Sequence, residues 1–339
     1  MSVRKGIRLK NLRLIILVFV VAGSISDGYG QYGKAGSFLR TGLGARAKGM
    51  GDAFTGIAQG LEASFYNPAG LPFLVKKELF ASYRFLTLDR QFTAIGFAMP
   101  IQPKIEGTGE KALNGGVAFA WIRAGVGEID GRNTDGLHTN FLSNSENAFI
   151  FSFALNPAEG LSVGLVVKVL WNRFPGIVDG GGTISASGVG FDFGALYRPA
   201  SWISIGVVTK DFNSKYRWNT EELYGEDGSE TTDSFPRLVR LGVGVRPPQL
   251  RNTLLVADIE HIFDNKLFSD RLETCYHFGA EKIIGQVFAI RGGLDDGALT
   301  AGLGYSFKVA EKPLFLNYTF TTGGDRPEEE HVLTWIFQF

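Results

Sequence analysis

Apolar residues occupy every second position along most of the chain after residue 78. From Leu299 to Val309, large apolar side chains and alanine alternate with Thr, Gly, Ser and Lys. Successive side chains of a strand point to opposite faces, so this segment has one apolar and one small or polar face. The same alternation recurs at 161–172 and 189–198. The pattern predicts an extended sheet of two-faced strands.

About 14 such segments follow one another, and most have about 10 residues, the length that a tilted strand needs to cross a bilayer. An even strand number is the rule for single-chain bacterial barrels. The predicted strands are 78–88, 91–101, 113–123, 146–156, 160–173, 186–199, 202–212, 235–247, 252–262, 271–282, 285–295, 298–309, 312–322 and 331–339.

The connections between these strands alternate in length. Those after even-numbered strands are mostly tight, whereas those after odd-numbered strands are mostly long and polar, as at 124–145 and 213–234. Outer-membrane barrels have short periplasmic turns and long external loops. We therefore predict an all-β fold, a transmembrane antiparallel β-barrel over residues 78–339, with both termini in the periplasm.

The N-terminus has the features of an export signal. Five basic residues precede the apolar run from Leu14 to Ala22, and small residues follow it. The run is shorter than the roughly 20 residues of a membrane-spanning helix. Residues 1–30 are thus predicted to be a secretory signal peptide, cleaved between Ala22 and Gln31. The single cysteine, Cys275, lies far from this region, which excludes lipoprotein processing and an internal disulfide.

The C-terminus ends in an alternating aromatic strand. Leu333, Trp335, Phe337 and Phe339 share one face. Such an ending resembles the C-terminal insertion signal of bacterial outer-membrane barrels, in which the last strand closes against the first. We expect it to be read by the barrel-assembly machinery, with outer-membrane lipid as the surroundings of the folded protein.

Charge and composition exclude several functions. The formal net charge is zero for the whole chain, and removal of the five basic signal residues leaves the mature chain mildly acidic. This argues against nucleic-acid binding, which needs a basic patch. The four histidines lack the spacing of metal ligands, and no nucleophile elbow is present. We expect no enzyme activity, no cofactor and no metal.

Residues 31–77 differ from the strands and are rich in glycine. Apolar residues from Met50 to Leu61 recur at helical spacing, which predicts a short amphipathic helix. Asn67 and Pro68 offer a cap and a first helical residue, and Gly70 offers a stop, so one helical turn is expected there. Glycines would weaken a helix, but they suit a backbone that passes close to other surfaces.

Two motifs in this segment carry a family resemblance. The stretch Ala35 to Phe54, with Arg46, Gly49, Met50 and Gly51, and the stretch Ser64 to Leu71 resemble the N-terminal signature of the PorV/PorQ family, within the FadL-like barrel group. The resemblance implies that residues 31–77 form a hatch, a Gly-rich segment with short helices inside the barrel lumen. It also implies one of two roles, because FadL-like barrels pass hydrophobic molecules and PorV-like members serve type IX protein secretion.

The polar strand faces carry charged residues of both signs. A buried guanidinium such as that of Arg46 needs carboxylate partners, and the inward faces could supply them. We expect an ion-paired lumen that anchors the hatch, ahead of the alternative of a selective ion path. Its predicted members are Lys168, Asp192, Arg198, Arg240, Asp258, Glu260, Glu273, Arg291, Glu281 and Lys308.

Two functions therefore stay open at the level of sequence. The first is a non-enzymatic barrel in type IX-like secretion, which would bind secretion-system subunits or cargo through loop 213–234, with Lys215, Tyr216, Arg217 and Trp218 facing the partner. The alternative is a FadL-like passive channel for a hydrophobic ligand, with a movable hatch or a strand kink at Gly292-Gly293. A barrel enzyme is a third and weaker interpretation.

Overall fold

The computed structural model describes residues 34–102, 113–178, 182–263, 272–323 and 329–339. The predicted signal peptide, residues 1–30, lies outside these residues. The strands are β1 (Glu78–Phe85), β2 (Arg90–Ile101), β3 (Gly115–Arg132), β4 (His138–Ala158), β5 (Leu161–Val178), β6 (Gly182–Ala200), β7 (Ile203–Phe212), β8 (Lys215–Asn219), β9 (Glu230–Ser234), β10 (Arg237–Val245), β11 (Thr253–Phe263), β12 (Leu272–Ile284), β13 (Phe288–Asp295), β14 (Ala298–Val309), β15 (Lys312–Thr321) and β16 (Glu330–Gln338).

The sheet closes into an antiparallel barrel of 14 strands. β1 pairs with β2 on one side and with β16 on the other, and β5 pairs with both β4 and β6. β8 and β9 form a hairpin beside β6 and lie outside the ring of 14. The predicted fold class is confirmed, and each predicted strand matches an observed one. β3 to β6 extend further than predicted at the end where the long loops lie. Their extensions lack the continuous alternation of apolar and polar residues on which the prediction rests.

Alternation of burial follows the predicted faces. In β14, Leu299, Ala301, Leu303 and Tyr305 are exposed on the outside, whereas Thr300 and its inward neighbours are buried. We call the end of the barrel with the turns after β4, β6 and β12 the turn end, and the opposite end the loop end. No helix in the described part of the chain is long and apolar enough to cross a membrane.

The hatch lies inside the barrel. It contains one-turn α-helices at Ala45–Lys48 and Ala63–Tyr66 and 3-10 turns at Ser37–Arg40 and Pro68–Phe73. The predicted helix over Met50 to Leu61 is wrong, because this stretch consists of turns. Its apolar side chains are buried all round, so their spacing does not mark one helix face.

The hatch runs from the loop end to the turn end. Gly36 lies against Phe235 beneath the β8–β9 hairpin, and Lys77 pairs with the C-terminal Phe339 at the turn end. The first and last residues of the described chain thus lie at opposite ends of the barrel. The side on which the N-terminus emerges stays a prediction, because residues 1–33 lie outside the described part.

Inward glycines of the wall allow the hatch to pack closely. A Cβ added at Gly293 would lie 2.4 Å from the backbone nitrogen of Gly51, and one at Gly279 would lie 2.2 Å from the carbonyl oxygen of Met50. Wall glycines of this kind approach the hatch from many strands. They are Gly116, Gly164, Gly194, Gly206, Gly242, Gly244, Gly279 and Gly293.

The loop 213–234 differs from the prediction. Tyr216 is buried and cannot face a partner, since its ring packs on Phe235 and its hydroxyl donates to Glu146 at 2.9 Å. Trp218 packs on Phe174, while Arg217 is exposed. The predicted strand kink is also absent, because β13 pairs without a break with β12 and β14 through Gly292 and Gly293.

Gly292 and Gly293 give a matched test of the close packing. Gly293→Ala is expected to destabilise the folded barrel by about 1–3 kcal/mol, because the new Cβ meets hatch backbone that must move. Gly292→Ala is the control, since its Cβ would have no neighbour within 3.8 Å and only the carbonyl oxygen of Thr300 at 3.9 Å. Thermal denaturation in detergent and limited proteolysis of the hatch provide the measurement. Equal stability of the two variants would contradict the packing argument.

Candidate functional site

The lumen is filled by the hatch, whose apolar side chains form one core with the wall. Met50, Phe54 and Leu61 are completely buried. They pack with wall residues such as Phe80 and Ile122 in a single hydrophobic cluster. The hatch therefore blocks the centre of the barrel in this conformation.

Wall carboxylates hold the backbone of the hatch. One oxygen of Asp258 accepts from the N–H groups of Phe54 and Thr55, at 3.0 and 2.9 Å. Glu78 accepts from the N–H of Leu61 at 2.8 Å. Hydrogen bonds from N–H groups to a carboxylate are stronger than those to neutral acceptors. Because these turns lack the hydrogen bonds of regular secondary structure, the wall supplies partners that their buried backbone needs.

Arg46 binds a carboxylate on the wall. Its guanidinium donates to both oxygens of Glu281, at 3.0 and 2.9 Å. Arg291 donates to the same carboxylate at 2.7 Å. Two cations therefore share one anion at this point, and the planar two-point geometry is specific to arginine.

Two further clusters join the hatch to the wall. Lys48 of the hatch lies 2.8 Å from Asp295, and the imidazole Nδ1 of His277 lies 3.0 Å from the same carboxylate. Arg240 contacts Glu260 and also Asp52 of the hatch, at 3.3 Å. These contacts are buried on both sides. Breaking a buried pair by removing one partner typically costs about 3–5 kcal/mol.

Asp52, His277 and Asp295 lie close enough to hold a metal ion. Both carboxylates and Nδ1 of His277 already have partners, whereas Nε2 of His277 has none among the described residues. Asp52 accepts from the hydroxyl of Tyr66 at 2.5 Å and from Arg240, and Asp295 contacts Lys48 as well as His277. Two cations beside the cluster would repel a metal. We interpret this group as an ion-pair network.

The remaining predicted charges separate into inner and outer positions. Lys168 lies against Asp192 at 2.7 Å and also contacts Asp211, all buried. Arg198 stacks on the ring of Phe73 of the hatch. Two others take no part in the buried pairs. Glu273 is partly exposed near the loop end, and Lys308 lies exposed at the turn end beside Glu311.

The predicted hatch motif residues have packing and capping contacts. Asn67 accepts from the N–H of Ala69 at 3.1 Å, the expected cap of the turn that begins at Pro68. Its amide also donates to the carbonyl of Ala195 on the wall at 3.0 Å. Gly49, Met50, Gly51 and Gly70 all lie buried against wall or hatch backbone.

The C-terminal aromatic residues lie on the outer face. Trp335 and Phe339 are exposed there, and Leu333 and Phe337 are partly exposed on the same face. β16 closes the barrel by pairing with β1 over eight residue pairs from Glu78–Gln338 to Phe85–His331. Recognition of this strand by an assembly machinery stays a prediction.

The hatch separates two cavities. The loop-end cavity has a volume of about 390 Å³, and its apolar lining includes Phe38, Leu86 and Phe92, beside Arg84 and Glu146. The turn-end cavity has a volume of about 430 Å³. Both volumes fall in the usual range for small-molecule sites. Arg46, Glu62, Leu74, Glu281, Arg291 and Phe315 are among the residues that line the turn-end cavity.

Glu62 was not singled out in the sequence, and only its position in the fold reveals it. It is buried, lines the turn-end cavity, and has one carboxyl oxygen without a hydrogen-bond partner. Burial raises the pKa of Glu62 to about 8, against the opposing effect of Arg46 and with a further rise from Glu78. At neutral pH this side chain is therefore mostly an uncharged acid.

Comparison with known proteins finds structures of similar fold. No family model matches the chain, and no match is found among curated proteins. The toluene transporter TodX of Pseudomonas putida is similar in structure, with a TM-score of 0.57 and 13% identity over 88% of this chain and 97% of that one. A FadL homologue of Pseudomonas aeruginosa has a TM-score of 0.52 and 12% identity over 88% of this chain and 98% of that one. The monoaromatic hydrocarbon channel CymD has a TM-score of 0.51 and 14% identity over 88% and 96%.

The fold is a 14-strand barrel with an internal hatch, and it is similar to the folds of these hydrocarbon channels and of the FadL homologue. The identities are too low to carry more than the fold. The resemblance of the hatch motifs to the PorV/PorQ family names a more specific family than the fold comparison supports. It stays an interpretation of the sequence.

Glu62 predicts how stability depends on pH. Its pKa is about 4.5 in an unfolded chain and about 8 in the fold. Between these values the folded state holds a proton that the unfolded state lacks, so its contribution to the free energy of unfolding falls as pH rises, by at most about 1.4 kcal/mol per pH unit, and levels off above pH 8. Glu62→Gln removes this dependence. Thermal denaturation from pH 5 to 9 in both proteins measures the difference, and parallel curves would contradict the assignment.

Proposed function

We propose that the protein is an outer-membrane channel for hydrophobic small molecules, in which the hatch closes the path between two cavities. The barrel's outer face supports the membrane location, since exposed apolar side chains alternate along its strands. The fold it shares with the hydrocarbon channels TodX and CymD supports the transport role. The proposal involves no catalysis.

The hatch divides the lumen into two cavities, and this division is the main support for the proposal. A molecule that enters the loop-end cavity meets apolar side chains, and beyond them only the hatch separates it from the turn-end cavity. The hatch is held by hydrogen bonds and ion pairs rather than by sheet pairing with the wall. Those contacts can break without opening the barrel. Passage therefore requires the hatch to move.

A disulfide between hatch and wall tests this requirement. The Cβ of Ile57 lies 3.6 Å from the position of a Cβ added at Gly244, within the range of disulfide-bonded cysteines, about 3.5–4.5 Å. Ile57→Cys with Gly244→Cys, in a Cys275→Ser background, is expected to abolish uptake of radiolabelled toluene when oxidised. Reduction restores uptake. The measurement uses cells of a Gram-negative strain that lacks its own hydrophobic channels.

Single-cysteine variants in the same background are the controls, because they carry the same side-chain changes without the bond. Uptake through the oxidised double variant at the wild-type rate would contradict a moving hatch. Wild-type uptake no higher than that of cells without the protein would contradict the channel itself.

A role in type IX-like secretion is the second candidate, favoured by the hatch motifs and by the exposed strand β9. Under this second candidate, locking the hatch to the wall by the disulfide would not affect secretion. Recovery of secretion-system subunits or cargo with the tagged protein, together with no toluene uptake, would favour it over the channel. Membrane insertion through the C-terminal strand is common to both candidates.

A further inference from the structure

In the part of the chain that the structure describes, β9 has one unpaired edge. Among the described strands it pairs with β8 alone, and it stands at the end of the strand order, whereas β5 at the other end is paired with β6. All five residues from Glu230 to Ser234 are exposed. An exposed edge strand is a template on which another chain can add a strand.

The alternation of hydrogen bonds in the hairpin shows which backbone groups of β9 face away from β8. The N–H of Thr220 donates to the carbonyl of Ser229, and the N–H of Phe235 donates to the carbonyl of Ser214. Backbone bonds alternate along an antiparallel pair, so Thr231 and Asp233 also bond toward β8. Glu230, Thr232 and Ser234 therefore point their N–H and C=O groups away from the hairpin.

The edge is held firmly in place. Phe235 directly after β9 is completely buried, and its ring packs against Tyr216 with centroids 4.9 Å apart. The indole N–H of Trp218 donates to Asp233 at 2.8 Å, which ties β8 to β9 through side chains as well. A partner strand would meet a preformed edge. Binding would therefore cost little conformational entropy of this chain.

Charge selects the kind of strand that can bind. Residues 215–234, which span the hairpin, contain six acidic residues and two basic ones, Lys215 and Arg217, so their formal net charge is −4. Two copies of β9 would repel each other, so the edge is protected against pairing with itself. The same charge attracts a strand that carries basic side chains. The acidic residues are Glu221, Glu222, Glu226, Asp227, Glu230 and Asp233.

We propose that β9 is a docking edge for an extended, lysine- or arginine-rich segment of a partner protein, which adds to the β8–β9 hairpin as a further strand. The backbone groups of Glu230, Thr232 and Ser234 bind the partner's main chain. The acidic side chains of the hairpin favour a partner strand with basic side chains. This inference concerns an interaction that channel activity does not require, and it does not rest on the proposed transport role.

A proline substitution tests the edge directly. Thr232→Pro removes one outward N–H, at a position of the kind where an edge strand accepts proline. Thr232→Val is the matched control, because it changes the same side chain but keeps the donor. Binding of a fluorescent peptide of alternating Lys and Thr to the full-length protein in detergent is measured by anisotropy, with a peptide of alternating Glu and Thr as the second probe.

We expect the Lys-Thr peptide to bind about tenfold more weakly to the proline variant than to the valine variant, and the Glu-Thr peptide not to bind. Hydrogen exchange on the wild type gives a second readout that needs no variant. The amides of Glu230, Thr232 and Ser234 should become protected by the peptide. Equal binding to both variants, or no protection of these three amides, would overturn the proposal, because attraction to charge alone needs no free edge.

Discussion

The structure depends on the burial of an irregular backbone inside a closed sheet. The hatch has little regular structure, so its N–H and C=O groups need partners that turns do not provide. The wall provides some of them from carboxylate and hydroxyl groups, as where Asp258 accepts from Phe54 and Thr55 and where Thr334 accepts from Ala45. The inward charges of the barrel are therefore first of all the scaffold of the hatch.

The hatch backbone must also pack closely against the wall. A carboxylate can reach a backbone N–H only if the hatch lies near the wall, and the inward glycines create that room. Thr55 of the hatch shows both effects. Its carbonyl lies against Gly206 of β7, and its N–H donates to Asp258 of β11, two strands away in the sheet. Charge and glycine positions thus act together, and both leave the outward apolar face unchanged. The wall can carry a hatch inside and an apolar surface outside because its side chains alternate.

The sequence predicts the parts of this fold that repeat locally. Strand positions follow from alternation with period two, and the cap at Asn67 follows from four adjacent residues. The contacts of the hatch do not follow from local pattern. Arg46 and Glu281 are far apart in sequence, and only the strand register selects Glu281 among several inward carboxylates. The helical spacing from Met50 to Leu61 misleads because these side chains are buried on all sides. The β8–β9 hairpin was missed because each strand has only five residues and β9 contains no apolar residue.

In the resting barrel the hatch is a plug that hydrogen bonds and ion pairs hold against the wall. Hydrogen exchange of the purified protein in detergent tests this at the amides of Phe54, Thr55 and Leu61, which donate to wall carboxylates. We expect these amides to be protected as strongly as the strand amides of β11 beside them. Exchange of these three amides within seconds, as for amides without protection, would show instead that the wall does not hold the hatch.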